Sequence, residues 1–272
     1  MKLYKLGGLI AVLACLGILV YSYLSWQDKL QSATKADEET INKAETESTK
    51  SSTESSNSKS SNTDLKEESD VSVNTELLAN MDEEVKELFL QKNSEGEALQ
   101  LLIAGSEALE SGDPGYAERL QAALEEAYGE SIEVTIESVS GTSDALKFVD
   151  LTAGYDLALL EPLTLMNNDR VSIEDERQDV VDFTTRLEEE NSDALVILHA
   201  PQPIYGAGYY LAQVQALTEF ANIYGYPYIE HWDAWPDTDD IALKEHLTED
   251  AVPNDKGAET WASELSNYFI AN

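Results

Sequence analysis

Leu101-Leu102-Ile103-Ala104-Gly105-Ser106-Glu107-Ala108-Leu109-Glu110-Ser111-Gly112 is the stretch from which the rest of the chain can be read. Four apolar residues run into a Gly-Ser pair, and a helix-like segment follows through Tyr116, Leu120 and Leu124. A strand that turns at a glycine and feeds a helix is where open α/β sheets place reactive groups, outside the carboxyl ends of the strands. By itself the stretch is equally an ordinary βα turn with a small residue after the glycine. What lies downstream decides between the two.

Working outward, the same alternation recurs. Residues 115–129 form an amphipathic segment bounded by glycines and read as a helix. Residues 131–138 alternate Ile132, Val134 and Ile136 and read as a strand, followed by a turn at Ser140-Gly141-Thr142-Ser143. Residues 155–162 are almost continuously apolar, as a buried parallel strand is. Then come a helix over 173–191, a strand over 193–200, a helix over 209–224, a short strand over 226–231 and a closing helix over 256–270. Upstream, Leu77, Leu78, Met81, Val85, Leu88 and Leu90 fall mostly on one face of a helix starting near Glu76. Strands alternating with helices of this length imply a parallel sheet covered on both faces. No internal repeat is visible.

The N-terminal quarter has a different character. Lys2 and Lys5 precede an apolar run from Leu6 to Leu24, about long enough to cross a bilayer, with Tyr21, Tyr23 and Trp26 at its far end. The positive flank keeps the N-terminus cytoplasmic and sends the remainder outside. Val12-Leu13-Ala14-Cys15 is similar to a lipobox, but the apolar run continues past Cys15. Residues 1–26 are therefore read as an uncleaved signal anchor, with a cleaved signal peptide as the alternative. Residues 27–75 are rich in Ser, Thr, Glu, Lys and Asn and read as a flexible tether reaching at most ~150 Å. The expected location is the cell membrane, with the domain of residues 76–272 extracytoplasmic.

Cys15 is the chain's one cysteine, so that domain relies on its core and not on disulfides. It carries 42 of the 53 acidic and nine of the 17 basic residues, a balance of −33. Such a surface excludes a nucleic-acid groove. Neither a cofactor nor a metal is expected.

Four blocks, in order, resemble those of the SGNH (GDSL-type) hydrolase superfamily over roughly residues 97–271. They are Gly105-Ser106-Glu107, Val139-Ser140-Gly141-Thr142-Ser143, residues 155–169, and Glu249-Asp250-Ala251-Val252-Pro253-Asn254-Asp255-Lys256-Gly257. Pro253, Asn254, Gly257 and Trp261 fit the last block well. The resemblance implies a flavodoxin-like three-layer αβα sandwich with a five-stranded parallel sheet in the order 2-1-3-4-5. It gathers Gly105, Gly141 and the Pro253-Asn254 turn at one edge, with Ser106 and Val252 in one pocket. It also implies serine esterase or acyl-hydrolase chemistry, in which a histidine activates the serine and amides with an Asn side chain hold the oxyanion.

The catalytic positions depart from that pattern. The nucleophile position falls on Glu107, with Ser106 just before it, the histidine position on Val252, and the orienting Asp position on Glu249. Glu161-Pro162-Leu163-Thr164 stands where Gly-x-Asn-Asp would be, leaving Asn167 or Asn168 as displaced substitutes, and Gly141 carries over as an oxyanion amide. Valine neither accepts nor donates a proton. Of the three histidines, His199 reads as a core or rim residue, His231 as facing the cleft or packing on Trp232, and His246 as a solvated helix residue.

Two functions follow. One is weak ester hydrolysis on acylated cell-envelope carbohydrate through Ser106. The other is a non-catalytic pseudoenzyme that binds carbohydrate or a partner, with Trp232, Trp235, Tyr205, Tyr209 and Tyr210 available for sugar stacking.

Overall fold

The computed structural model describes residues 73–271. The anchor, the Cys15 lipobox and the tether up to residue 72 lie outside the described residues, among which no helix is long and apolar enough to cross a membrane.

Five strands, β1 (Leu99–Ser106), β2 (Ile132–Val139), β3 (Leu157–Leu160), β4 (Leu195–His199) and β5 (Tyr228–Ile229), pair in parallel in the order β2-β1-β3-β4-β5. This is the expected α/β sheet and order. The helices among the described residues are α1 (Glu83–Glu95), α2 (Tyr116–Tyr128), a single turn α3 (Thr164–Asn167), α4 (Ile173–Glu190), α5 (Tyr210–Tyr224) and α6 (Asp255–Phe269).

The period of two along each strand splits the core into two layers. Leu101, Ile103, Leu157, Leu159 and Ile197 face α1, α2 and α6, whose inward residues include Phe89, Leu120, Leu124 and Trp261. Leu102, Ala104, Ala158, Leu160, Val196 and Leu198 face α4 and α5 through Val180, Phe183, Leu217 and Phe220. In β3 all four residues are buried, so its sequence is unbroken apolar rather than alternating.

Three boundaries differ from the sequence reading. The helix expected from Glu76 is broken into a 3-10 turn (Thr75–Leu78) and α1, because Asp82 takes an extended conformation and starts a new helix. The break is fixed from the far end of the chain. Asn80 donates to the Asn267 carbonyl at 2.7 Å, and the Tyr268 hydroxyl bonds both the Asp82 carboxylate (2.8 Å) and amide (3.2 Å). Second, β1 runs into a 3-10 turn (Glu107–Glu110) not anticipated in the sequence, while the α-helix begins at Tyr116, as the segment 115–129 implies. Third, β5 keeps two ladder residues of the expected six.

Candidate active-site cleft

The strand ends are held together by a buried carboxylate. Ala104 pairs with Leu160, and the Glu161 amide continues that ladder by donating to the Ala104 carbonyl at 2.9 Å. The Glu161 side chain then turns back: Oε2 accepts from the Ser106 amide and Oε1 from the Leu163 amide, both at 2.7 Å. A Cβ on residue 105 would lie 2.8 Å from the Glu161 Cβ, which explains the glycine. Leu163 is left-handed (φ 62°), a cost offset by this carboxylate anchor and by full burial of its side chain. Burial pushes the Glu161 pKa up, and hydrogen bonds from Ser106 and the Leu163 amide pull it back. In the sequence Glu161 stood out as a departure from the family pattern, with nothing to show that it ties β1 to β3.

Above these strand ends lies a cleft of about 380 Å3. It brings together four of the residues singled out from the sequence: Ser106, Glu107, Gly141 and Val252. The walls are mostly apolar, with Val139, Leu165, Met166 and Ile204, and the remaining polar contributors include Gln202 and Asp250. Ser106 ends β1 and is 5% exposed. Glu107 is exposed and accepts from the Ser140 hydroxyl at 2.8 Å, bridging the ends of β1 and β2. Gly141 has φ 107°, a conformation that favours glycine. No lysine or arginine lines the cleft, so the carboxylates of Glu107 and Asp250 oppose the build-up of an oxyanion there.

Two expected contributors lie elsewhere. Glu249 lines a neighbouring cleft and not this one. Asn168 caps α3 and is not among the cleft's lining residues; its Oδ1 is buried without a partner. Asn167 is committed to structure: it accepts from the Ser143 amide at 2.9 Å and donates to Glu176 at 2.6 Å. Glu176 also accepts from Thr164 at 2.8 Å, and burial raises its pKa to about 7.

None of the chain's three histidines lines the cleft; each packs against Trp261 or Trp235 in the core layer of α1, α2 and α6. His199 and His231 are fully buried and both donate to the Ala200 carbonyl, from Nδ1 at 3.0 Å and Nε2 at 2.7 Å. The His231 Nδ1 accepts from the Trp235 indole at 3.2 Å, so that ring is a neutral tautomer fixed on both sides, whereas the His199 Nε2 is buried without a partner. Burial lowers the His199 pKa to about 4 and the His231 pKa to about 3. The next two carbonyls are gripped likewise, Pro201 by the Trp232 indole (2.7 Å) and Gln202 by the Tyr210 hydroxyl (3.1 Å). Together they fix the exit of β4 and set Gln202 into the cleft wall. His246 is buried against Trp235, with ring centroids 5.8 Å apart, and is not the solvated residue expected.

The residues that fit the family's last block also prove architectural. Asn254 caps α6 by accepting from the Lys256 and Gly257 amides (3.0 and 3.1 Å) and donates to the Glu245 carbonyl (2.9 Å). Trp261 stacks between Tyr116 and His231, with centroids at 4.0 and 4.9 Å. Of the aromatic residues considered for sugar stacking, Tyr210 and Trp235 are buried and Trp232 is bonded into the β4 exit, whereas Tyr205 and Tyr209 remain exposed. Among the described residues no three His, Cys, Asp or Glu side chains group closely enough to hold a metal ion.

The sequence matches no protein-family model and shows no significant similarity to a curated protein. The fold, in contrast, is similar to solved structures. The acetylxylan esterase Axe2 from Geobacillus stearothermophilus aligns with a TM-score of 0.52 at 14% identity, over 62% of this chain and 93% of its own. A protein described as lipolytic and of the G-D-S-L family, from Desulfitobacterium hafniense DCB-2, aligns with 0.50 at 16% over 62% and 99%. A GDSL-like protein from Parabacteroides merdae ATCC 43184 gives 0.52 at 13% over 62% and 94%. With its five parallel strands in the order 2-1-3-4-5, the domain has an SGNH hydrolase-like α/β fold.

Proposed function

We propose that the domain is an extracytoplasmic binding module, tethered to the membrane by its N-terminal helix, that seats an acylated cell-envelope carbohydrate in the Ser106 cleft and hydrolyses it weakly or not at all. One observation carries this reading: the cleft of an esterase-like fold lacks an imidazole, because Val252 occupies the expected position and all three histidines pack against core tryptophans instead. General acid–base assistance is worth about 10²–10⁴ in rate. Without it, Ser106 is left with binding and whatever oxyanion support Gly141 offers. Membrane attachment rests on residues 1–26 and the polar tether that follows.

The test is hydrolysis of p-nitrophenyl acetate by the purified chain and by Ser106→Ala, with labelling by a fluorophosphonate probe alongside. The expected outcome is equal rates and no labelling at Ser106. Robust turnover abolished by Ser106→Ala would overturn the reading. The base to examine would then be Glu161, whose carboxylate accepts from the Ser106 amide. Topology is tested separately: protease added to intact protoplasts should release the domain by cutting between about residues 27 and 74. Protection until the membrane is broken would reverse the orientation.

A further inference from the structure

A second cleft, of about 460 Å3, opens beside the first and is lined by Tyr205, Lys244, Leu247, Thr248, Glu249 and Ala251. Ala251 lines both clefts. It sits at φ 59° in a turn closed by the Ala251 amide to the Thr248 carbonyl (3.1 Å) and the Thr248 amide to the Val252 carbonyl (2.8 Å). Gln202 steadies that turn by donating to the Ala251 carbonyl at 3.2 Å. A left-handed conformation is strained for alanine, and such strain gathers at ligand sites.

Lys244 is the unusual residue. In a domain with 42 acids a lysine meets a carboxylate by default, and Lys86, Lys92, Lys147 and Lys256 each do, within 3.4 Å. Among the described residues Lys244 is the one lysine without such a partner. Its neighbour Glu245 is taken by Lys256 at 3.2 Å. The Lys244 ammonium rests instead over the Tyr205 ring, 4.3 Å from its centroid, in the wall of the cleft. Tyr205 is 43% exposed.

We propose that this second cleft is a subsite for a sugar ring bearing one anionic group, a carboxylate or a phosphate, continuous across Ala251 with the Ser106 cleft. The inference deepens the binding reading above and rests on it. The anionic group meets the Lys244 ammonium, the exposed part of the Tyr205 ring takes the apolar face of the sugar, and Thr248 and Glu249 serve its hydroxyls. The volume exceeds what a bare anion needs. Glu249 and the surrounding acidity disfavour a polyanion, so one negative group for each ring is the chemistry that fits.

The experiment is calorimetric titration of the detergent-solubilised full chain with galacturonic acid, glucose 1-phosphate and neutral galactose. None of these carries an ester that an SGNH-type serine would cleave, so the outcome is independent of the hydrolysis assay. At least one anionic ligand should bind at least about tenfold more tightly than the neutral one, the gain expected of one charge-assisted contact. The tighter of the two identifies carboxylate or phosphate as the group. The preference should fade with added salt, vanish in Lys244→Met, persist in Lys244→Arg and weaken in Tyr205→Ala. Melting curves check that the variants stay folded; Lys244 is exposed, so they should. Equal binding of neutral and anionic sugars, no binding of any up to about 10 mM, or an unchanged preference in Lys244→Met would each overturn the subsite.

Discussion

The cleft over the strand ends and the layer directly beneath it differ in one respect that matters most for chemistry. Beneath, at least five buried rings interlock: Tyr116, Trp261 and His231 stack, while His199 and Trp235 meet them edge-on. Above, the side chains are small, apolar or acidic, and the position expected to carry an imidazole carries valine. The chain thus has imidazoles close to its cleft and spends them on fixing the exit of β4. A histidine near a strand end in sequence can be a hydrogen-bond donor to backbone, fully desolvated and neutral, and still leave the cleft without a base.

The difference can be broken most directly from below. A Cβ on Gly257 would lie 2.2 Å from the His246 carbonyl and 3.2 Å from the Trp235 ring, with backbone that cannot yield. Gly257→Ala should cost more than about 3 kcal/mol in a denaturant melt. Gly141→Ala, in the cleft, meets nothing closer than the Ala145 Cβ at 4.0 Å and bears only the strain of φ 107°. Its cost should be about 1–2 kcal/mol. Equal losses would show that the lower layer is no more tightly determined than the cleft.

Next in size is acid sensitivity. His199, at about 4 in the folded chain against about 6.5 unfolded, binds its proton more readily unfolded. The stability linked to its neutral form is therefore complete above pH about 6.5, is lost as pH falls towards 4, and levels off below. The loss is on the order of 3 kcal/mol, and His231 acts in the same direction. Glu176, raised to about 7, has the opposite sign: its contribution is full below about 4.5 and is lost as pH rises through 7. Comparing His199→Gln with wild type isolates the imidazole. The variant should be weaker at pH 7.5 and show a flatter loss between pH 6.5 and 4. Parallel curves would mean that His199 is not held neutral.

The smallest stability effect should come from the cleft itself. Glu107→Ser with Val252→His changes one exposed and one half-buried side chain, and should shift the melt by less than about 1 kcal/mol. The informative readout is ester hydrolysis, which should rise above wild type if an imidazole facing the cleft is what was missing. No gain in a folded double variant would place the deficit in the oxyanion donors, where the Ser106 amide is already committed to Glu161.

Much of the fold was legible because its signals are local. Alternation in β2, unbroken burial in β3 and the glycines bounding α2 are decided by residues within a turn or two of each other. The same held for Ser106, Glu107, Gly141 and Val252 as cleft residues, since each sits at a strand end or just before a helix. The break before α1 was not legible, because Tyr268 and Asn267 enforce it from nearly 190 residues away. Nor were the roles of Asn167 and Glu161, whose partners come from other strands and helices.

The sequence by itself determined that strands and helices alternate, that their order forms a parallel sheet, and that positions 107 and 252 carry glutamate and valine. These follow from side-chain type and short-range period, which travel with the chain wherever it folds. Only the tertiary structure decided what the remaining polar groups do. It turned His199 and His231 inward onto one carbonyl, buried Glu161 under Gly105, closed Trp235 and Tyr210 away from ligands, and left Lys244 without a carboxylate beside Tyr205. A polar side chain takes its role from whichever partner reaches it once water is excluded, and that partner is set by packing between segments far apart in the chain.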